Sequence, residues 1–346
     1  MSDFLNCSDL TIIHNQYESF EKRLIFIGGS PRSGTTLVQN ILDSHPDIYG
    51  GPEFLHIPEI IKLRGALQRS VFRDYISLYC NSEEVDRKIK LLLFELLLPL
   101  ADKNNCFFLS EKTPENIFVF AELMQLLPSA HFIHVIRDPR AIVSSMLQVG
   151  KRAVDKDLKP PSFTKDIFSS IEYLKRCIEA GADIASVCPE KILTVKYEDL
   201  VRGTEDETRR ICNFLGLNWK IEMVSPGNKR HPGEQAITVK SDELWYDKSS
   251  YYKNPDPSII NKWFKKLTFS QKAKVFLAFK DNKFLKENGY DLYSSNFSEG
   301  EKMLWNCNLF FLNCCHKLLS FVYKLPNIPG RARVCRVLIN QVGNAK

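Results

Sequence analysis

The 346-residue chain has ten cysteines, but they lack any pairing pattern. No Cys-x-x-Cys occurs and no histidine stands at zinc spacing. The one local cluster is the vicinal pair Cys314-Cys315. A structural metal is therefore not expected, and the thiols read as reduced. The first 21 residues lack a basic stretch followed by an apolar core, so neither a leader nor a membrane anchor is expected there. Internal repeats and low-complexity tracts are missing too. Charge of one sign is scarce: 47 basic against 41 acidic side chains leave +6. That suits an anionic small molecule and is too diffuse for nucleic acid. An apolar fraction of 44% and a charged fraction of 25% are those of an ordinary globular protein. The length fits one large domain or two modest ones.

The most informative stretch is Ile25-Phe26-Ile27-Gly28-Gly29-Ser30-Pro31-Arg32-Ser33-Gly34-Thr35-Thr36-Leu37. An apolar strand stops at a glycine turn, and two hydroxyl residues open a helix. Such a junction gathers backbone N–H groups and the positive end of a helix dipole around one small volume, a site for phosphate or sulfate. The Gly29-to-Gly34 spacing is that of a P-loop. Thr35 stands where a nucleotide triphosphatase carries lysine, and the cation lies inside the loop as Arg32. This points away from ATP hydrolysis.

Strands are predicted at residues 24–28, 106–109, 131–136 and 192–195. Helices are predicted at 35–44, 57–67, 73–80, 83–100, 114–127, 139–149, 167–187 and 204–215, the last ending at Gly216. Residues 151–165, with Pro160-Pro161 and mixed charge, read as an exposed loop. This alternation implies a P-loop-like, doubly wound parallel α/β sheet flanked by helices, with ligands at the carboxyl ends of the strands. His134, inside an apolar strand, reads as a core histidine, with His45 and His131 structural. Arg140 reads as a surface or supporting residue.

Four further pieces stand at expected strand exits or near the first helix: Glu53, Lys112, the run Arg137-Asp138-Pro139-Arg140 followed by Ser144 and Ser145, and Tyr197-Glu198-Asp199. Together with the loop, Leu42-Asp43-Ser44-His45-Pro46-Asp47 and Leu127-Pro128-Ser129-Ala130-His131-Phe132 resemble the PAPS-dependent sulfotransferase superfamily. The resemblance is to protein-tyrosine sulfotransferases and related microbial sulfotransferases. It covers roughly residues 24–293, ending in Gly289-Tyr290-Asp291-Leu292-Tyr293, with residues 65–107 alike only in helical character.

The resemblance implies an enzyme that moves a sulfuryl group from 3′-phosphoadenosine 5′-phosphosulfate (PAPS) to a hydroxyl acceptor, without a metal. The acceptor is a phenol, a carbohydrate or a peptide tyrosine. It implies that Arg32, Ser33, Gly34, Thr35 and Thr36 hold the 5′-phosphosulfate, and that Arg137 and Ser145 hold the 3′-phosphate. Tyr197 would lie near the nucleotide. Ser249 or Ser250 and Lys262 would close the site. Glu53 would be the catalytic base, and Lys112 would stabilise charge on the bridging oxygen alongside Arg32. Read without the resemblance, Glu53 is a helix-entry carboxylate, Lys112 a solvated strand-end lysine, and Arg137-Asp138 an ion pair. Also apart from the resemblance, Trp219, Trp245 and Trp263 read as packing residues, with Trp245 and Tyr246 lining the acceptor cleft as the alternative. A P-loop kinase or triphosphatase and a nucleotide-binding adaptor without turnover are the alternative functions.

The chain also departs from that family. Leu55 and Glu59 stand where tyrosine-sulfating enzymes carry basic residues, so an acidic peptide would gain no charge pairing there. Gly50 with Ser110, and Ile184 with Ile192, stand at the family's disulfide positions, which favours the cytoplasm over a Golgi or membrane-associated location. The expected organisation is an extension at 1–23, a sulfotransferase domain at 24–293 and a helical tail at 294–346. Within the tail, residues 303–323 are apolar but carry Asn306, Asn308, Asn313, His316 and Lys317. They read as a packed amphipathic helix, with a membrane-surface helix or a span as alternatives. A homodimer is left open.

Overall fold

The computed structural model describes residues 17–235, 244–245 and 253–292. The tail at 294–346, most of the extension at 1–23, and Tyr246, Ser249 and Ser250 lie outside the described residues.

The described residues contain a parallel sheet of five strands: β1 (Leu24–Gly29), β2 (Ile48–Gly50), β3 (Phe108–Lys112), β4 (His131–Ile136) and β5 (Ile192–Lys196). Their spatial order is β2-β3-β1-β4-β5, with every pairing parallel. β1 is central, which explains its unbroken apolar run: all six residues are buried because both faces are covered. Side chains alternate across it. Leu24 and Phe26 pack with Leu109, Phe132 and Ile192 against helices α2 (Ile57–Phe72), α3 (Ser82–Lys103) and α4 (Phe120–Leu126). Ile25 and Ile27 pack on the other face with Ile133, Val135 and Val195. Helices α1 (Thr35–Asp43) and α8 (Thr204–Leu215) cover that face through Val38, Ile41, Leu42, Ile211 and Leu215. Helices α5 (Pro139–Asp155), α6 (Ile167–Val187) and the short α7 (Tyr197–Arg202) complete the connections between strands.

The predicted α/β doubly wound class is what the chain adopts. The helices at 167–187 and 204–215 and the strand at 131–136 have the expected bounds. Gly216 closes α8 in the left-handed conformation with φ 68, where a side chain would be strained.

Other expectations need correction. Residues 73–80 form turns and bends, not a helix. There Asp74 takes φ 63, and Asn81 starts α3 with a side-chain capping box. The strand expected at 106–109 runs over Phe108–Lys112, because the two polar residues Glu111 and Lys112 remain in register with β1. The expected loop at 151–165 begins as helix, since α5 continues to Asp155. Residues 114–119 form a 3₁₀ turn before α4. The three-residue β2 carries too short an apolar pattern to be read from sequence. Arg140 is buried, only 5% exposed, because the Nε–Nη2 edge of its guanidinium is taken by Asp138. His134 is buried as expected, and burial pushes its pKa down to about 4, so it sits in the core as a neutral ring at physiological pH.

The chain divides into two compact units, residues 1–261 and 262–346. The described part of the second contains the helices Trp263–Lys266, Phe269–Phe279 and Lys283–Glu287. Within it Thr268 forms a capping box with Gln271, and Lys272 lies over the Phe264 ring at 3.6 Å. Among the described residues no helix is long and apolar enough to cross a membrane.

Candidate active site

The parallel sheet sends all five strand ends to one edge, and residues 32–36, Glu53, Lys112, Arg137 and Tyr197 follow or end those strands. β1, β4 and β5 deliver one half of the site, and β2 and β3 the other. At the end of β1 the chain turns through unusual backbone conformations. Arg32 has φ 75 and Gly34 has φ 110, both in the left-handed region that costs a side-chain-bearing residue energy. A Cβ on Gly34 would lie 2.3 Å from the Tyr197 ring. Among the described residues no side chain caps α1, which leaves the N–H groups of Thr35 and Thr36, two residues that line the cavity, without a side-chain acceptor. The buried Ser33 hydroxyl oxygen has no partner among the described residues.

Arg137 follows β4 and turns towards that loop. One guanidinium nitrogen donates to the Arg32 carbonyl at 3.3 Å, and the group lies 4.0 Å from the Tyr197 ring centroid. Its buried Nε has no partner among the described residues. The expected alternative of an Arg137–Asp138 ion pair is not what forms. Asp138 caps α5 by accepting the Arg140 N–H at 2.8 Å and pairs with the Arg140 side chain at 2.7 Å. Tyr197, the first residue of α7, is 4% exposed. Burial, more than any charge, pushes its phenol pKa upward, so it is a neutral ring surface for Arg137.

The Arg32 side chain spans the loop. Its Nε donates to the Ser145 Oγ at 3.0 Å and its Nη1 to the Trp245 carbonyl at 2.6 Å. Arg32, Arg137 and Ser145 therefore belong to one neighbourhood. Arg32 lies more than 100 residues from the other two, and the sheet order brings them together.

On the other half, Lys112 ends β3 and is 4% exposed. Its Nζ pairs with the Glu53 carboxylate and donates to the Thr36 Oγ1 at 3.3 Å. The bland reading of a solvated strand-end lysine does not fit this burial. Thr36, on the first turn of α1, thus joins the phosphate-type loop to the carboxylate–ammonium pair. Gln39 of α1 holds the start of the Glu53 segment by donating to the carbonyls of Gly51 at 2.8 Å and Ser110 at 2.9 Å.

These residues surround one cavity of about 1340 Å³. Arg32, Gly34, Thr35, Thr36, Glu53, Arg137 and Tyr197 all line it, as does Trp245. Ser33, Lys112 and Ser145 lie behind the lining and touch it. Lys262 belongs to the second unit and is exposed there. Sequence reasoning missed Glu115, which lines the cavity and accepts from the Tyr173 hydroxyl at 3.2 Å. Burial pushes its carboxyl pKa upward. It also missed Glu111, Thr113 and Asn116, which form a buried hydrogen-bonded group beside Glu53. Their signal was the polar run Glu111-Lys112-Thr113-Pro114 interrupting an apolar strand, from which only the lysine was taken.

Among the described residues the buried Ser33 Oγ and Arg137 Nε have no partner, and Arg137 lines the cavity together with Thr35 and Thr36 of the uncapped α1. A glycine cradle at residue 34 leaves no space for a side chain. The donor set is therefore suited to a ligand with separated phosphate or sulfate groups. Among the described residues no cluster of His, Cys, Asp or Glu could hold a metal ion.

Comparison with known proteins gives a consistent picture. The sequence pattern of the sulfotransferase family matches residues 24–220. A protein-tyrosine sulfotransferase 1 from Danio rerio is 33% identical over 204 residues, 57% of this chain and 54% of that protein. A protein-tyrosine sulfotransferase 2 from Gallus gallus is 31% identical over 212 residues, 60% of this chain and 54% of that protein. The chain thus spans about half the length of these relatives. Among solved structures, a sulfotransferase domain from the curacin biosynthetic pathway superposes with TM-score 0.52 at 18% identity, covering 77% of this chain and 97% of that one. A sulfotransferase domain from the Synechococcus PCC 7002 olefin synthase gives 0.50 at 21% identity, covering 78% and 94%. These two likenesses concern the fold.

Proposed function

The chain belongs to the sulfotransferase family, and from that premise we propose that it transfers the sulfuryl group of PAPS to a hydroxyl acceptor. The observation that carries this reading is the convergence of Arg32 and Arg137 on the cavity that Glu53, paired with Lys112, also lines. A triphosphatase would need a lysine where Thr35 stands.

PAPS supplies a sulfuryl group on a good leaving group, and the chain supplies position and charge. The N–H groups at the start of α1, the Ser33 hydroxyl and the Arg32 guanidinium would hold the 5′-phosphosulfate. Arg137 and Ser145 would hold the 3′-phosphate, with Tyr197 beside the nucleotide. Sulfuryl transfer, like phosphoryl transfer, places charge on equatorial and leaving oxygens, where fixed donors and cations are most effective. Lys112, bonded to Thr36 at the loop, would meet the charge on the bridging oxygen. Glu53 would accept the proton of the attacking hydroxyl.

The acceptor side is built by the segments after β2 and β3: Leu55, Pro58, Glu59, Glu115, Phe118 and Val119 line it. Leu55 and Glu59 offer no cation to an acidic peptide. The reading therefore keeps tyrosine, phenol and carbohydrate hydroxyls as acceptors and does not require acidic flanks.

We place the protein in a reducing compartment. Gly50 and Ser110, which stand at family disulfide positions, are direct neighbours across β2 and β3, and a Cβ on Gly50 would lie 2.6 Å from the Asp43 Cβ. A cysteine does not fit there.

Radiolabelled PAPS offered with 4-nitrophenol, a tyrosyl peptide and an oligosaccharide, with a chelator present, tests the function. Label is expected on at least one hydroxyl product. Label on none, together with phosphate transfer from magnesium-ATP, would contradict it.

A further inference from the structure

Among the buried ionisable groups that the mechanism leaves unused, one lies beside the Glu53–Lys112 pair. Glu111 is the penultimate residue of β3, directly before Lys112, and is 2% exposed. Burial pushes its pKa upward, as expected for a carboxyl removed from water. A side chain serving only to fill space there would need no charge.

Its hydrogen bonds converge on the segment that bears Glu53. Glu111 Oε1 accepts the Phe54 N–H at 3.1 Å and the Thr113 hydroxyl at 2.6 Å. Oε2 accepts the Asn116 amide at 2.5 Å. The Thr113 hydroxyl oxygen in turn accepts the Leu55 N–H at 3.3 Å. The two amides immediately after Glu53 are thus tied to the end of β3. Before Glu53, the Gly51 N–H is tied to the Ser110 carbonyl of the same strand at 3.1 Å. Leu55 has φ 64, a left-handed conformation that a leucine holds only when its surroundings impose it. The pair of anchors on its N–H and its neighbour's does so.

We propose that Glu111 is a positioning residue: through Thr113 and the Phe54 and Leu55 amides, it fixes the Glu53 carboxylate against Lys112. The inference rests on the reading of Glu53 as the base. Both members of the Glu53–Lys112 pair are then referenced to β3, Lys112 covalently and Glu53 through Glu111. Reaction rates fall steeply when a reacting group is displaced by about 1 Å, so loosening this tie should act on turnover rather than on donor binding.

Two measurements on the full chain decide it. The first is amide hydrogen exchange at Phe54 and Leu55, which needs no acceptor. Glu111→Ala is expected to speed exchange there by about tenfold or more, with the α1 amides unchanged. Glu111→Gln is expected to retain protection. Its oxygen can still accept from Phe54 and Thr113, and Asn116 can turn over to offer its Oδ1, which has no partner among the described residues.

The second measurement is transfer kinetics with whichever of the three acceptors named above takes most label. Glu111→Ala should lower kcat by about 10- to 100-fold, with the KM for PAPS nearly unchanged. Glu111→Gln should recover most of that loss. In a Glu53→Ala background Glu111→Ala should cost nothing further. Unchanged exchange, or losses that multiply in the double variant, would overturn the proposal. Should Glu111→Ala fail to fold, Thr113→Val removes the Leu55 acceptor and should show the same pattern at smaller size. Wild-type activity in Glu53→Ala would instead sink the assignment of the base, and the exchange result would still stand or fall alone.

Discussion

Glu53→Ala is expected to lower sulfuryl transfer by about 100- to 10,000-fold, the usual contribution of a positioned general base. Affinity for adenosine 3′,5′-bisphosphate should stay close to wild type, because Glu53 lies after β2 and the proposed nucleotide contacts come from β1, β4 and β5. The substitution leaves the Lys112 ammonium, 4% exposed, without its carboxylate. Part of any loss could then come from a displaced lysine. Glu53→Gln provides the control, since its carbonyl still accepts from Lys112 and the residue cannot act as a base. Both variants should therefore be inactive, with Glu53→Gln the more stable to heat. Single-turnover assays with saturating PAPS separate the chemical step from binding. Full activity in Glu53→Gln would remove Glu53 from its role.

Lys112→Met should cost about 100- to 1,000-fold in the chemical step, the size seen when one fixed donor to a developing charge is lost. Met keeps most of the buried stem volume. Glu53 is 24% exposed at its side chain, so water can solvate it once the ammonium is gone. Folding should thus survive, and a thermal melt is expected to shift little. Lys112 also donates to Thr36 at the start of α1, so the donor KM should rise modestly while kcat falls strongly. A better leaving group than the natural nucleotide would need less charge stabilisation, and the variant's defect should shrink with it. A lysine that only solvates a strand end would leave both constants unchanged.

Much of this site was legible in the sequence because its residues hang from regular elements. The apolar run before Gly28-Gly29 specified a central strand, and the loop motif specified an anion site at its end. Arg137 and Tyr197 each follow an apolar run, so parallel pairing alone brings them to the same sheet edge. Lys112 was placed beyond its strand and proves to end it, since charged side chains near a strand terminus hide the register. What sequence could not show is the partner choice of side chains. Asp138 pairs with Arg140 rather than Arg137, so Arg137 instead lies against the Tyr197 ring and the Arg32 carbonyl. Glu111 lies beyond the strand predicted at 106–109, and its burial within β3 shows only in the structure. The turns at 73–80, with Phe72, Tyr75, Leu78 and Tyr79 largely exposed, defeated helical periodicity because no core lies beneath them.

The central claim is one nucleotide bridging Arg32 and Arg137, and titration calorimetry with adenosine 3′,5′-bisphosphate in a chelating buffer tests it most directly. Saturable one-to-one binding is predicted without magnesium. The affinity should exceed that for magnesium-ATP and fall by about 10- to 150-fold in Arg137→Ala, the range for a lost hydrogen bond to a charged group. Tighter binding of magnesium-ATP, with Arg137→Ala indistinguishable from wild type, would contradict the account.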